Sequence, residues 1–331
     1  MRIFSGIQPT GRKHLGNYIG AIRQYVEGQD RGDPAIYCIV DLHAVTVPYS
    51  PADLRRNVYD TTAILLAAGL DPSRCILFRQ GDVHEHTELC WLLTSVTAHG
   101  ELNRMTQFKE KSAKQRELVS AGLFLYPVLQ AADVLAYRAH EVPVGEDQRQ
   151  HIELMREIAI RFNNRFGETL VVPEARIPEA GARIMDLQSP GDKMSTTAPS
   201  DQGTLLVLDD EKTIVKKVKS AVTDSGSEVR VAADKPGISN LIEILAVIRG
   251  VDEATIERDF DGLQYGAFKT AVAEAVVDYL RPIRERYEQI RPDEAGIESA
   301  LAEGREKAHA LAAETLRDVR QAMGVGPPGG E

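Results

Sequence analysis

Strand-like and helix-like stretches alternate through the first half of the chain, and that alternation restricts the fold more than any other feature. Residues 2–8 have strand character, with Ile3, Phe4 and Ile7 apolar ahead of a Pro9-Thr10-Gly11 turn. From Gly16 onward, Tyr18, Ile19, Ile22, Tyr25 and Val26 recur at helical spacing. Residues 35–40 and 75–78 read as buried strands. Between them a helix over 51–68 opens on Ser50 as N-cap and Pro51 as first helical residue. Residues 84–99 and 120–136 read as helix in spite of Pro127, 141–146 as strand and 148–166 as helix. This order predicts an α/β architecture, a parallel sheet with helical crossovers, in which ligands sit beyond the carboxyl ends of the strands.

After residue 204 the pattern turns all-helical, over 213–222, 238–248, 265–289 and 293–323. The polar stretch 195–203 therefore marks an expected boundary, with a Rossmann-like domain over 1–203 and a smaller helical domain over 204–331. Residues 326–330, Gly-Pro-Pro-Gly-Gly, read as a disordered tail. A chain of 331 residues with 43% hydrophobic and 27% charged residues is long enough for two moderate soluble domains. No apolar run approaches the roughly 20 residues of a membrane span. With no basic-then-apolar leader, a cytoplasmic location is expected. Cys38, Cys75 and Cys90 are odd in number and lack C-x-x-C spacing, so neither a disulfide framework nor a zinc or iron–sulfur site is expected. The net charge of −10 disfavours indiscriminate nucleic-acid binding. Local basic groups still allow a specific RNA partner: Lys109, Lys111, Lys114 and Arg116; Lys212, Lys216, Lys217 and Lys219; Arg281, Arg284 and Arg286.

Two segments suit opposite ends of one triphosphate. Residues 9–17 join a strand to a helix N-terminus, which presents backbone N–H groups and a positive dipole end to an anion. There His14 adds a donor, and Gly16 lets a flat ring or ribose approach the backbone. The second segment is Lys193-Met194-Ser195-Thr196-Thr197. Asp133 stands in the apolar run 129–135, where an unpaired carboxylate is costly. Backbone N–H groups, a nearby Arg or a bound donor could each satisfy it. Asp147, between a strand end and a helix start, fits a cap as well as a ligand contact. Leu89, Leu92, Leu93 and Val96 form an apolar stripe that fits either the core or a subunit contact.

His14-Leu15-Gly16-Asn17 resembles the HIGH signature of class I aminoacyl-tRNA synthetases, and residues 193–197 resemble their KMSKS loop. Residues 3–9, 105–112, 142–148 and 220–225 narrow the resemblance to the bacterial tryptophanyl-tRNA synthetase family, over nearly the whole chain. The resemblance implies a catalytic domain of the HUP type with a helical connecting insertion over about 50–130. It also implies a C-terminal anticodon-binding domain, and the substrates L-tryptophan, ATP with magnesium, and tryptophan tRNA. A homodimer with one tRNA spanning both subunits is implied as well, with no protein-bound metal and no membrane. Gln8, Thr10, His14, Gly16, Asn17, Gly20, Gly145, Asp147, Ile184, Met185, Lys193, Met194, Ser195 and Thr196 would line the ATP site. Within or beside this set, Gln8, His14, Lys111, Lys193 and Ser195 would act on the reaction. Phe4, Val142 and Val144 would wall the tryptophan pocket, Asp133 would accept the indole N–H, and Tyr126 and Gln148 would hold the α-amino group. Gln107, His43 and Gln130 would complete it.

Two departures stand out. Gln130 replaces an apolar methionine of many relatives, and Thr196 replaces the second lysine of KMSKS, with Arg12 and Lys13 as candidate compensating charges. A catalytically weakened paralogue, acting as a nucleotide- and indole-binding regulatory or partner-binding module, is the second class of function. A tyrosine-specific sibling would need a phenol site and an RNA-binding tail that have no counterpart here. Pantothenate-synthetase-like nucleotidyl transfer leaves the helical C-terminal part unexplained.

Overall fold

Five strands form one parallel sheet in the order β3-β2-β1-β4-β5. They are β1 Ile3–Ile7, β2 Ala35–Ile39, β3 Ile76–Arg79, β4 Glu141–Pro143 and β5 Glu174–Arg176. β2 is apolar at every position and wholly buried, as an interior parallel strand must be. β5 has no counterpart among the strands read from sequence: Glu-Ala-Arg offers no apolar run, and it holds its place by pairing with β4. The strand order reverses between β1 and β4, so the carboxyl ends of those two strands flank the switch point of a doubly wound sheet. The computed structural model describes residues 1–9, 12–114, 119–177, 183–196 and 200–327, without the side chains of Glu110, Lys111, Ala113, Lys114 and Asp147.

The helix Pro51–Ala68 starts on Ser50 as expected and stops at Gly69, whose φ of 116° continues no helix. Ala121–Leu135 runs through Pro127, with Ser120 Oγ accepting from the Leu123 N–H. The single helix expected over 84–99 is instead two, Glu85–Thr94 and His99–Arg104. Hydroxyls of Thr94, Ser95 and Thr97 donate to the carbonyls of Cys90, Leu92 and Leu93 at 2.7–2.8 Å, offering the backbone an alternative to the helical ladder. The stripe of Leu89, Leu92, Leu93 and Val96 packs into the core of this chain, while Trp91 on the same helix is 71% exposed.

Contacts divide the chain into two units, residues 1–10, 24–179 and 290–331 on one side and residues 11–23 and 180–289 on the other. The expected cut near 203 does not describe this division, because the last helix, Glu294–Met323, rejoins the sheet-bearing unit. It lies against the edge strand β3, where a Cβ on Gly304 would fall 1.8 Å from the Leu77 carbonyl oxygen, so only glycine permits the approach. Arg79 on β3 donates to Glu298 at 2.9 Å, and the Tyr59 hydroxyl donates to the same carboxylate at 3.0 Å.

The second unit contains the helices Glu211–Lys219, Pro236–Arg249, Glu253–Asp259 and nearly all of Tyr265–Ile290, packed through Ile214, Val218, Leu241, Leu245, Phe268 and Val272. Its basic groups are less available than the sequence suggests. Lys217 is buried, donating to Asp209 and to the Thr204 carbonyl at 2.7 Å each, and Arg281 and Arg284 both bond Glu211. The side chains of Lys111 and Lys114, and residues 116 and 326–330 in part, fall outside the described residues.

Candidate active site

In the first unit, the helix Ala121–Leu135 carries Asp133 to a site where the carboxylate is 2% exposed. Among the described residues neither a backbone N–H nor an arginine satisfies it. Gln80 Nε2 donates to Oδ1 at 2.6 Å, His86 Nδ1 meets Oδ1 at 2.6 Å, and His43 Nε2 meets Oδ2 at 2.8 Å. Burial alone would raise the Asp133 pKa, but hydrogen bonds from His43 and His86 outweigh it and hold the group down at about 2. The carboxylate is therefore ionised at neutral pH and can only accept, which places the protons on His43 Nε2 and His86 Nδ1.

Around it the structure brings several expected residues together. The Tyr126 hydroxyl donates to Gln107 Oε1 at 3.4 Å and pairs with His151 Nε2 at 2.9 Å, and its ring meets His43 edge-on. Gln130 Nε2 donates to Gln148 Oε1 at 3.4 Å, so the polar replacement has a polar neighbour. Phe4 and Val142 are buried in the core, and Val144 is half-buried against it. Gln8 follows β1 and Gly145 follows β4, both exposed at the carboxyl ends of their strands. Asp147 lies in the turn Glu146–Gln148, but its side chain, like that of Lys111, is outside the described residues, as is Thr10.

In the second unit, His14 caps the short helix Leu15–Asn17. Its Nδ1 accepts from the Asn17 N–H at 3.3 Å, and Asn17 Oδ1 accepts from the His14 N–H at 3.1 Å. Burial, then the nearby Lys193 and Lys13, pull the His14 pKa down to about 4. His14 is thus neutral, and with Nδ1 accepting, its proton sits on Nε2 as a donor. A Cβ on Gly16 would lie 3.1 Å from the His14 ring and 3.6 Å from Ile184, so glycine keeps this surface open. Gly20 lies within a π-helical turn, Tyr18–Ile22, with open space where a side chain would be.

The His14 segment is laced to the segment after the Lys193 loop. Leu15 N–H donates to Leu205 O at 2.8 Å, and Val207 N–H donates to Lys13 O at 2.9 Å. Thr204 Oγ1 donates to the Ser195 carbonyl at 2.8 Å. Met185 bridges Lys193 in antiparallel fashion, and Met194 N–H donates to Ile184 O at 3.0 Å. Ile184 and Met194 are buried, Met185, Ser195 and Thr196 half-buried, and Lys193 exposed. Arg12 makes a two-pronged pair with Asp201 at 2.5 and 2.7 Å. Burial pulls the Lys13 ammonium down to about 8.

Sequence reasoning missed Gln80, His86, Tyr137, His151 and Asn240. His86 shares the core-facing row of Leu89 and Leu93, where a histidine among leucines was a readable signal, and Gln80 directly follows β3. Asn240 is less readable: its amide clasps the Met185 backbone from both sides, at 2.9 and 3.0 Å, from a distant helix.

The family model for class I tRNA synthetases (W and Y) matches residues 1–281. The chain is 54% identical to tryptophan–tRNA ligase 2 of Streptomyces avermitilis, over 98% of this chain and 97% of that one. It is 50% identical to the tryptophan–tRNA ligase of Caldanaerobacter subterraneus subsp. tengcongensis, over 98% of each. Among solved structures, the tryptophanyl-tRNA synthetase of Mycoplasma pneumoniae superposes with a TM-score of 0.88 at 35% identity, over 98% of both chains. That of Campylobacter jejuni, solved with ADP and tryptophan, gives 0.84 at 34% identity, covering 98% of this chain and 100% of that one. With its fold, its two signature segments and its relatives in agreement, the chain belongs to the class I tRNA synthetases of the tryptophan and tyrosine group.

Proposed function

We propose that this chain is a tryptophan–tRNA ligase, forming tryptophanyl-adenylate from L-tryptophan and ATP and passing the acyl group to tryptophan tRNA. The carrying observation is Asp133. Its hydrogen bonds with Gln80, His86 and His43 use two acceptor positions on Oδ1 and one on Oδ2 of the roughly four a carboxylate offers. One position remains on Oδ2 for the single N–H of an indole. The naming of relatives sharing half their residues with this chain supports tryptophan over tyrosine.

In the first step the tryptophan carboxylate attacks the α-phosphorus of ATP and pyrophosphate leaves. In the second, a terminal ribose hydroxyl of the tRNA attacks the adenylate carbonyl and AMP leaves. The protein contributes position and charge. Neutral His14 donates through Nε2 to phosphate oxygens, Lys193 and Lys111 neutralise the departing pyrophosphate, Ser195 hydrogen-bonds it, and Gln8 lies beside the reacting groups. Thr10, Asn17, Gly20 and Thr196 line the phosphates and ribose, Gly145 and Asp147 hold the ribose, and Ile184, Met185 and Met194 pack on adenine. Tyr126 and Gln148 bind the α-amino group, with Gln107, His43, Gln130, Phe4, Val142 and Val144 closing the pocket. Magnesium would enter with the substrate, as MgATP; among the described residues no cluster of three or more His, Cys, Asp or Glu could hold a metal.

The helical region after residue 204 reads the anticodon, and the ligase acts as a cytoplasmic homodimer. Among the described residues no helix is long and apolar enough to cross a membrane. Because the leucine stripe is core, the exposed Trp91 face of its helix is the better candidate for the subunit contact. Tryptophan-dependent exchange of labelled pyrophosphate into ATP, followed by charging of tryptophan tRNA, tests the activity. Exchange without charging would favour the regulatory module that Thr196 suggests; exchange driven by tyrosine alone would overturn the assignment.

A further inference from the structure

We propose that Gln80, His86 and Tyr137 are positioning residues that set the selectivity of the pocket for an indole N–H by fixing Asp133 with one acceptor position open. The inference rests on the reading of Asp133 as the indole acceptor. All three side chains are fully buried, and each is oriented by a second partner. Gln80 Oε1 accepts from the Leu42 N–H at 3.0 Å, which turns its amide NH₂ toward Asp133. His86 has Nδ1 on Asp133 and Nε2 on the Tyr137 hydroxyl, both at 2.6 Å. Since the carboxylate only accepts, Nδ1 carries a proton, and Nε2 pairs with the Tyr137 hydroxyl. Tyr137 is held in turn by stacking on Phe4, with ring centroids 5.4 Å apart and planes within 11°.

Two thiols and a phenol beside this chain of hydrogen bonds add no charge of their own. Burial raises the thiols of Cys38 and Cys90, the latter to about 11, and raises the Tyr137 phenol, so all three keep their protons. His43, on Oδ2, Glu85, near Tyr137, and Asp41 and Asp82, near Cys38, are the other titratable neighbours. Both Asp133 oxygens are thus pinned by donors from three separate segments. A ring that lacks an N–H leaves the open position on Oδ2 unpaired, and a fixed carboxylate cannot turn to satisfy it elsewhere. Sites built this way reject the isostere without a donor most strongly.

The probe is the tryptophan analogue in which sulfur replaces the indole N–H, β-(3-benzothienyl)alanine, compared with tryptophan in pyrophosphate exchange by the full-length chain. The wild type should discriminate against it. In His86→Leu, kcat/KM for tryptophan should fall about tenfold or more, chiefly through KM, as loss of a hydrogen bond to a charge predicts. The value for the sulfur analogue should change little, so discrimination shrinks while the KM for ATP holds. His86→Asn, which puts an amide N–H where Nδ1 was, should restore most of the discrimination. Tyr137→Phe removes a single oxygen and should shift the ratio in the same direction by less; it decides the matter should His86→Leu not fold. Equal losses for both substrates, or an unchanged ratio in Tyr137→Phe with His86→Asn no better than His86→Leu, would overturn the inference. A wild type that treats the two substrates alike would instead overturn the Asp133 reading beneath it.

Discussion

Asp133→Asn exchanges an acceptor-only group, surrounded by donors from Gln80, His86 and His43, for an amide that presents two hydrogens of its own. One face of that amide must then oppose a donor, so tryptophan affinity should fall more than threefold, above roughly 0.7 kcal/mol. A calorimetric titration showing a smaller loss would remove Asp133 from the pocket. Lys13 and Arg12 make a sharper residue-scale case. On the proposed mechanism Thr196 withholds one charge from the departing pyrophosphate, and Arg12 is already committed to Asp201 in a pair half-exposed on both sides. Lys13 is buried and close enough to act electrostatically on His14 alongside Lys193. Lys13→Met should therefore slow adenylate formation by roughly tenfold to a hundredfold, while Arg12→Ala changes it about twofold or less. Burial lowers the Lys13 ammonium to about 8, so the wild-type kcat/KM should decline as pH rises through 8, and Lys13→Met should lack that limb. Stability has the opposite sign: a lysine with a depressed native pKa leaves the native state with fewer protons than the unfolded chain, so stability rises between pH 8 and the unfolded value near 10.5. Loss of rate above pH 8 without loss of stability is the signature; parallel pH profiles for wild type and Lys13→Met would refute it.

At the scale of elements, the sequence was legible wherever one periodicity ran unbroken. β2 and the helices Pro51–Ala68 and Arg149–Phe166 lie within a residue or two of their expected bounds because apolar spacing and caps agree there. β5 was hidden because three half-polar residues carry no period, and the break after Thr94 because back-bonding hydroxyls leave the apolar pattern intact. Of the site, His14, Asp133 and the Lys193 loop stood out by residue type in an unusual context. Gln80 and Asn240 did not, since an ordinary amide gains its role only from the backbone group it meets in space. The last helix shows the same limit: nothing in its pattern says that it returns to β3, and the one clue, Gly304 mid-helix, has meaning only against the Leu77 carbonyl. Gly304→Val should destabilise the chain by about 3 kcal/mol in denaturant unfolding, the upper range for forced overpacking. Gly266→Ala, with open space around its Cβ, should be neutral or stabilise by up to about 1 kcal/mol. Similar midpoints for the two variants would mean that the helix does not rest on the strand.

At the scale of the whole molecule, the acidic chain keeps only part of the basic run in the helix Glu211–Lys219 for a polyanion. With Lys217 buried and Arg281 and Arg284 turned to Glu211, Lys212, Lys216 and Lys219 are left as the exposed cations of their helix. The proposed RNA recognition would therefore depend on a small set of contacts, not on bulk charge. The proposed tryptophan residues and the two signature segments fall in different contact units, a separation that can be measured. Every residue assigned to tryptophan lies in the unit of residues 1–10, 24–179 and 290–331, whereas His14, Lys193 and Ser195 lie in the other. Ligand binding stabilises the native state by about 2.7 kcal/mol at a hundred times Kd, and it protects first the amides of the segments it touches. Tryptophan alone should thus raise the thermal midpoint by several degrees and slow hydrogen exchange in residues 41–44 and 126–135. A non-hydrolysable ATP analogue alone should slow exchange in residues 12–20 and 184–196. Protection by tryptophan confined to residues 184–196, or no protection anywhere at saturation, would show that the pocket has been assigned to the wrong unit.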